Sequence, residues 1–325
     1  MKTLLRRHGL ALLCAALAIC LPLCMEDSDY AMRIATMALI FAAASQCWNL
    51  SGGLANQISL GHAAFFGIGA YTSTLLYIHL EVSPWLGLVA GGMLAAVAAA
   101  MLSVILSRLK GHYYALATLA FAEVLRVVAN SWSSVTGGPI GLTIPFKGDA
   151  PLAFQFSSPA GYYWISLGLL ALCSLVFHRL ASGASGYRLR AIRENEVAAE
   201  VSGIDTFRLK LRLNVLSGAL MAMCGTVYAQ FIYFFDPDSI FSLSGISVKV
   251  AMMSIIGGLG TLPGPILGAF FLVPLEELST SFFSDTAGLA QCVFGIVLIA
   301  AILIQPRGLM AVWGLRHRFM KGART

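Results

Sequence analysis

Residues 31–80 read AMRIATMALIFAAASQCWNLSGGLANQISLGHAAFFGIGAYTSTLLYIHL: two apolar blocks separated by a glycine-rich interruption. Arg33 is the only Asp, Glu, Lys or Arg within them. A helix rises about 1.5 Å per residue, so about 20 apolar residues cross the hydrocarbon core of a bilayer. Each block therefore reads as a membrane span, and the interruption as the point where the chain breaks between them.

The rest of the chain repeats this alternation. Of its 325 residues 58% are hydrophobic and 11% charged, with a mean hydropathy of +0.81. Soluble domains carry about a quarter of their residues as charges, so a water-soluble fold is excluded. Apolar blocks bounded by charges, Gly or Pro predict an all-α, polytopic membrane protein. About ten spans fit the length. They fall at 9–24, 31–50, 61–80, 84–107, 111–130, 161–178, 213–235, 244–262, 263–281 and 285–305. The whole chain, 1–325, then forms one transmembrane domain. Its start, Lys2, Arg6 and Arg7 ahead of an apolar run to Cys24, resembles a signal peptide but lacks an A-x-A-like cleavage site, so an uncleaved first span is expected.

The net charge of +6 does not point to nucleic acid, because the basic residues sit between hydrophobic blocks rather than on one aromatic-rich basic face. They report orientation instead, since cytoplasmic loops retain Lys and Arg. Alternate connections hold Lys2, Arg6 and Arg7; Arg108 and Lys110; the run from Arg179 to Arg212; and Arg307 to Arg324. Only Arg33, Arg126, Lys147 and Lys249 lie elsewhere. Both termini are thus expected in the cytoplasm of a bacterial inner membrane. Residues 131–160 become an extracytoplasmic loop, either a partner contact or a plain connector. Residues 179–212 become a cytoplasmic loop in which Arg190 to Gly203 should form a short helix outside the bilayer.

Two glycine-rich interruptions carry the candidate substrate path. The first contains Asn49, Gly52, Gly53, Asn56, Gln57, Ser59 and His62; the second contains Gly257, Gly258, Gly260, Pro263 and Pro265. Aligned without gaps, Gly52–Phe66 and Gly257–Phe271 match at both glycines, a leucine, an alanine and both phenylalanines. Paired interrupted segments in two halves of a transporter mark its substrate site, although Gly-rich membrane segments also resemble one another by chance. Broken backbone at membrane depth must be buried in protein or line a wet cavity. Each interruption is either such a re-entrant break or a tight cytoplasmic turn.

Glu123 and Arg126, three apart on one helix face, suit a structural ion pair near the outer interface. Lys249, Glu276 and Glu277 lie near span ends, where snorkelling accounts for them. His62 reads as a packing or hydrogen-bonding residue rather than a metal ligand. Cys14, Cys20, Cys24, Cys47, Cys173, Cys224 and Cys292 all lie in apolar runs without metal-ligand spacing, so they read as small buried hydrophobes and no metal or cofactor is expected. HExxH, GxSxG and Walker A motifs are missing, which argues against an enzyme and means that any ATP-driven step needs another chain.

Four segments, Asn49–Tyr71, Tyr114–Arg126, Arg188–Gly203 and Ile255–Gly268, resemble in order the LivM-type permease subunits of branched-chain amino-acid ABC importers. The resemblance covers most of the chain. It implies a LivH-like second permease subunit, two cytoplasmic ATPase subunits and an extracytoplasmic substrate-binding protein. It also implies that a cytoplasmic helix with an E-A-A-x-x-x-G pattern docks on the ATPase. Ala198, Ala199 and Gly203 match that pattern, Val197 replaces the Glu, and Glu196 and Glu200 are the nearest acids, with Arg193 and Glu194 just before. An ion-coupled secondary transporter using Glu123, Arg126 and Lys249 is the competing expectation.

Overall fold

The computed structural model describes residues 28–282 together with Gly288, Leu289, Cys292, Val293, Gly295, Ile296, Ile299 and Leu303. Span 9–24, most of span 285–305, Cys14, Cys20, Cys24 and the two basic termini lie outside the described residues. Within them the chain is all-α apart from one two-stranded ribbon. Six segments are long and apolar enough to cross a membrane: Asp29–Leu54, His62–Leu80, Pro84–Ile105, Pro159–Ser182, Thr206–Ile232 and Pro237–Gly258. A seventh, His112–Ser131, turns by 81° into Ser133–Ile140.

The helices begin where the local chemistry allows. α1 (Asp29–Asn49) is capped by Ser28, whose hydroxyl accepts from the Ala31 amide. α2 is His62–Leu80. α3 (Pro84–Ile105) and α6 (Pro159–Ser182) each start with a Ser cap followed by Pro at the first helical position, where its missing N–H costs nothing. Between them come α4 (His112–Ser131) and the single turn α5 (Ser133–Thr136).

α1 occupies the centre, packed against α6, α9 (Thr206–Ile232), α11 (Lys249–Gly258) and α12 (Gly264–Phe282). α2, α3 and α9 form a second cluster, joined to α1 through α9. Small residues bring these backbones together, as at other helix interfaces in lipid: a Cβ on Gly69 would strike the Ala222 carbonyl, and one on Gly225 the Phe66 carbonyl. The outer face of α3 instead exposes Leu86, Val89, Met93, Val97, Met101 and Val104, a stripe that suits lipid and not water.

The 131–160 loop is folded rather than a free connector. β1 (Leu142–Thr143) pairs antiparallel with β2 (Phe234–Phe235), and the Trp85 indole donates to the Pro151 carbonyl at 2.9 Å. β2 leads into the short α10 (Pro237–Ile240).

The 179–212 segment is largely helical. α6 runs on to Ser182, α7 spans Ala184–Glu194, α8 spans Glu196–Val201, and α9 already begins at Thr206 behind the cap of Asp205. The predicted helix 190–203 is therefore two helices, because Asn195 is extended and its side chain accepts from the Ala198 amide to start α8.

Candidate functional site

The two interruptions meet. α1 and α11 run parallel: Ser45 donates to the Val250 carbonyl and Ser254 to the Ser45 carbonyl, both at 2.9 Å, and further along Asn49 reaches the second interruption. Its side chain accepts from the Gly260 amide at 2.8 Å and donates to the Thr261 carbonyl at 2.9 Å. Gly53 and Gly260 lie so close that a Cβ on Gly53 would stand 2.7 Å from the Gly260 nitrogen. Residues 211 positions apart are thus clamped by one buried amide.

The first break begins as α1 widens into a π-turn at Leu50–Leu54, and the chain then runs irregularly to α2. Several of its backbone groups are bonded to protein. The Trp48 indole, which packs over Gly52, donates to the Ser59 carbonyl at 2.7 Å. The Gln57 amide donates to the Ser51 carbonyl, the Leu60 amide to the Thr118 hydroxyl and the Ala63 amide to the Ser247 hydroxyl.

His62 is buried with both ring nitrogens engaged, by Ser59 at 3.1 Å and Ser217 at 2.8 Å. Ser217 spends its hydrogen on the Cys47 carbonyl at 2.7 Å, so His62 Nε2 donates to Ser217 and Nδ1 accepts from Ser59. His62 is a hydrogen-bonding residue, as its isolation in the sequence suggests.

The second break is shorter and closes on itself. Thr261 donates to the Gly258 carbonyl at 2.7 Å and accepts from the Gly264 amide at 3.2 Å. Gly258 and Gly260 both have positive φ. Gly257 is buried so closely that a Cβ would strike the Gly264 carbonyl; Pro263 is half-buried and Pro265 buried at the start of α12.

Residues of the basic 179–212 segment reach the first break directly. Arg193, at the end of α7, donates to the Gly53 carbonyl at 3.1 Å. Glu196, the first residue of α8, pairs with Lys210 at 2.7 Å and faces Lys110 at 3.7 Å. Asn56, Gln57, Lys110, Tyr114, Glu196 and Lys210 line a cleft of about 170 Å³ between the break and α8. Glu200 accepts from Thr206 at 2.6 Å, and Glu194 is exposed. Gly203 has φ +82 and the Ile204 amide returns to the Ala199 carbonyl, the helix ending expected of glycine there. Ala199 is 3% exposed, whereas Ala198 beside it is exposed.

Other expectations shift with tertiary structure. Arg126 bonds Glu123 at 3.0 Å and also pairs with Asp238, which Asn130 holds at 3.0 Å, so the predicted pair belongs to a four-residue network joining α4 and α10. Lys249 pairs with Glu276 and lies 4.2 Å from the centre of the Phe41 ring. Cys47, Cys173 and Cys224, from α1, α6 and α9, bring their sulfurs within 4.8 Å of one another, a cluster that sequence spacing concealed. Three such thiols could hold a soft ion, although ionising them would carry charge into the bilayer core. Trp48, Ser217, Ser247 and Thr261 were missed because single polar residues in apolar runs carry no motif.

Residues 30–302 match the family described as the branched-chain amino acid transport system / permease component. The chain belongs to this family. It is 28% identical over 312 residues to the high-affinity branched-chain amino acid transport system permease protein LivM of Escherichia coli (strain K12), covering 89% of this chain and 72% of that protein. It is 29% identical over 299 residues to LivM of Salmonella typhimurium, covering 85% of this chain and 69% of that protein. A probable LivH permease protein of Methanocaldococcus jannaschii is 26% identical over 270 residues, covering 79% and 84%. No solved structure matches. The chain is accordingly a LivM-type, multi-pass, all-α membrane permease component.

Proposed function

We propose that this chain is one permease subunit of an ATP-driven importer for branched-chain or related amino acids. It forms part of the substrate path and performs no chemistry. The observation that carries the coupling reading is α8: Val197 and Val201 are 62% and 86% exposed, beside exposed Ala198, on a short helix at the basic end of the bundle. An apolar helix face surrounded by charge suits a protein cleft better than water. Val197, in the place of the family's Glu, contributes contact area instead of charge. Glu196 and Glu200, engaged within this chain, hold the helix in place.

The partners of this reading are a LivH-like second permease, two cytoplasmic ATPases and an extracytoplasmic binding protein that selects the substrate. Closure of the ATPases would move α8, and the packed glycine breaks would part and close beside the path. The competing ion-coupled mechanism is disfavoured by the pairing of Glu123, Arg126 and Lys249, and vanadate-insensitive uptake would be needed to revive it.

Val201→Asp tests the coupling face, because docking would have to desolvate the new carboxylate. Co-purification of the ATPase and uptake should both fall, with membrane insertion unchanged; full co-purification with normal uptake overturns the assignment. The same reading places both termini and residues 179–212 in the cytoplasm and residues 131–160 outside. A cysteine introduced at Arg190 should react with an impermeant maleimide only in inverted vesicles, and labelling in intact cells would refute that orientation.

A further inference from the structure

We infer that Arg193 is the positioning residue through which the cytoplasmic helices act on both glycine breaks at once, an inference that rests on the importer reading above. Its guanidinium donates to the Gly53 carbonyl at 3.1 Å, at the widened end of α1 where unpaired helix carbonyls gather. The same group abuts the second break, since a Cβ on Gly260 would lie 2.8 Å from Arg193 Nη1 and 2.9 Å from the Gly53 oxygen. One cationic head therefore bonds one break and packs against the other, while Asn49 ties the two breaks to each other from within the bundle.

The connection to α8 is short and stiff. Only Glu194 and Asn195 separate Arg193 from Glu196, and Asn195 is fixed as the cap of α8. Leu189 and Ile192 bury α7 against the bundle, and Lys210 fastens Glu196 to α9. A displacement of α8 cannot be absorbed in a flexible linker before it reaches the Gly53 carbonyl. Lysine would not replace arginine here, because a point charge on a flexible stem lacks the planar, multiply donating head that can bond one backbone and pack flat on another.

The role is tested in proteoliposomes holding the complete importer, this chain with its permease partner, both ATPases and the binding protein, using leucine as the transported probe. Arg193→Ala should leave ATPase co-purification and ATP hydrolysis within about twofold while substrate imported per ATP hydrolysed falls about tenfold, the scale of an ordinary coupling between sites. Arg193→Lys should recover only part of that ratio, and it carries the test alone if the alanine variant does not reach the membrane. An unchanged import per ATP overturns the inference. Loss of ATPase co-purification in the Arg193 variants also overturns it, because Arg193 would then belong to the docking face. Failure of the importer reading itself shows separately, as absence of ATP-dependent uptake in the unmodified complex.

Discussion

The first break, between Leu50 and Gly61, and the second, between Leu259 and Pro263, interrupt helices that run side by side, yet they are held differently. The first borrows its hydrogen-bond partners from across the bundle: Thr118 on α4, Ser247 ahead of α11 and Arg193 on α7. The second is closed mainly by its own Thr261, which bonds both Gly258 and Gly264, and is joined to the first by Asn49, which bonds Gly260 and Thr261. A turn held by distant elements moves when they move, whereas a turn that satisfies itself keeps its shape and travels as a unit. The first break is thus the one suited to receive a signal, and the second is suited to follow it through the Asn49 clamp.

The largest effect expected from this contrast is at Gly53. In Gly53→Leu the side chain would start 2.7 Å from the Gly260 nitrogen, forcing the two breaks apart, and uptake should be abolished while the protein still inserts. Gly258→Leu should also abolish uptake, but through its own backbone, because φ is +134 there and an L side chain at such a site costs about 1–3 kcal/mol. Normal uptake in both leucine variants would reduce the breaks to ordinary turns.

An intermediate effect is expected at the clamp. Asn49→Ala removes both bonds between the breaks and strands the Gly260 amide and Thr261 carbonyl, a loss of about 2–4 kcal/mol. Thermal unfolding of the purified chain measures it, and a variant as stable as the parent would show that the breaks do not depend on each other. The smallest effect belongs to Thr261→Val, which cuts only local bonds, costs about 1 kcal/mol and should leave uptake near the parent level. If Thr261→Val proved more damaging than Asn49→Ala, the local closure of the second break would matter more than the clamp between the breaks.

The fold was legible because membrane partition acts on local sequence: a window of about 20 residues either suits hydrocarbon or does not. Six of the predicted spans reappear nearly in place, and Gly203 ends α8 as its type suggests. The breaks themselves were visible as Gly52–Gly53 and Gly257–Gly258. Less legible was the cytoplasmic segment, where Asn195 divides one expected helix into two; the signal, an Asn ahead of Glu-Val-Ala-Ala, was present but outweighed by helix formers on both sides.

Chain composition alone therefore settled that this protein lives in a bilayer as packed helices, and its glycines marked where those helices are interrupted. Only the tertiary structure decided that the interruptions touch, that Arg193 reaches across 140 residues to the first of them, and that three cysteines converge from separate helices. The physical reason is that hydropathy is the same for every arrangement of the same spans. Which backbones approach within hydrogen-bonding distance is set by small residues meeting small residues across the bundle, a long-range complementarity that no single stretch of sequence displays.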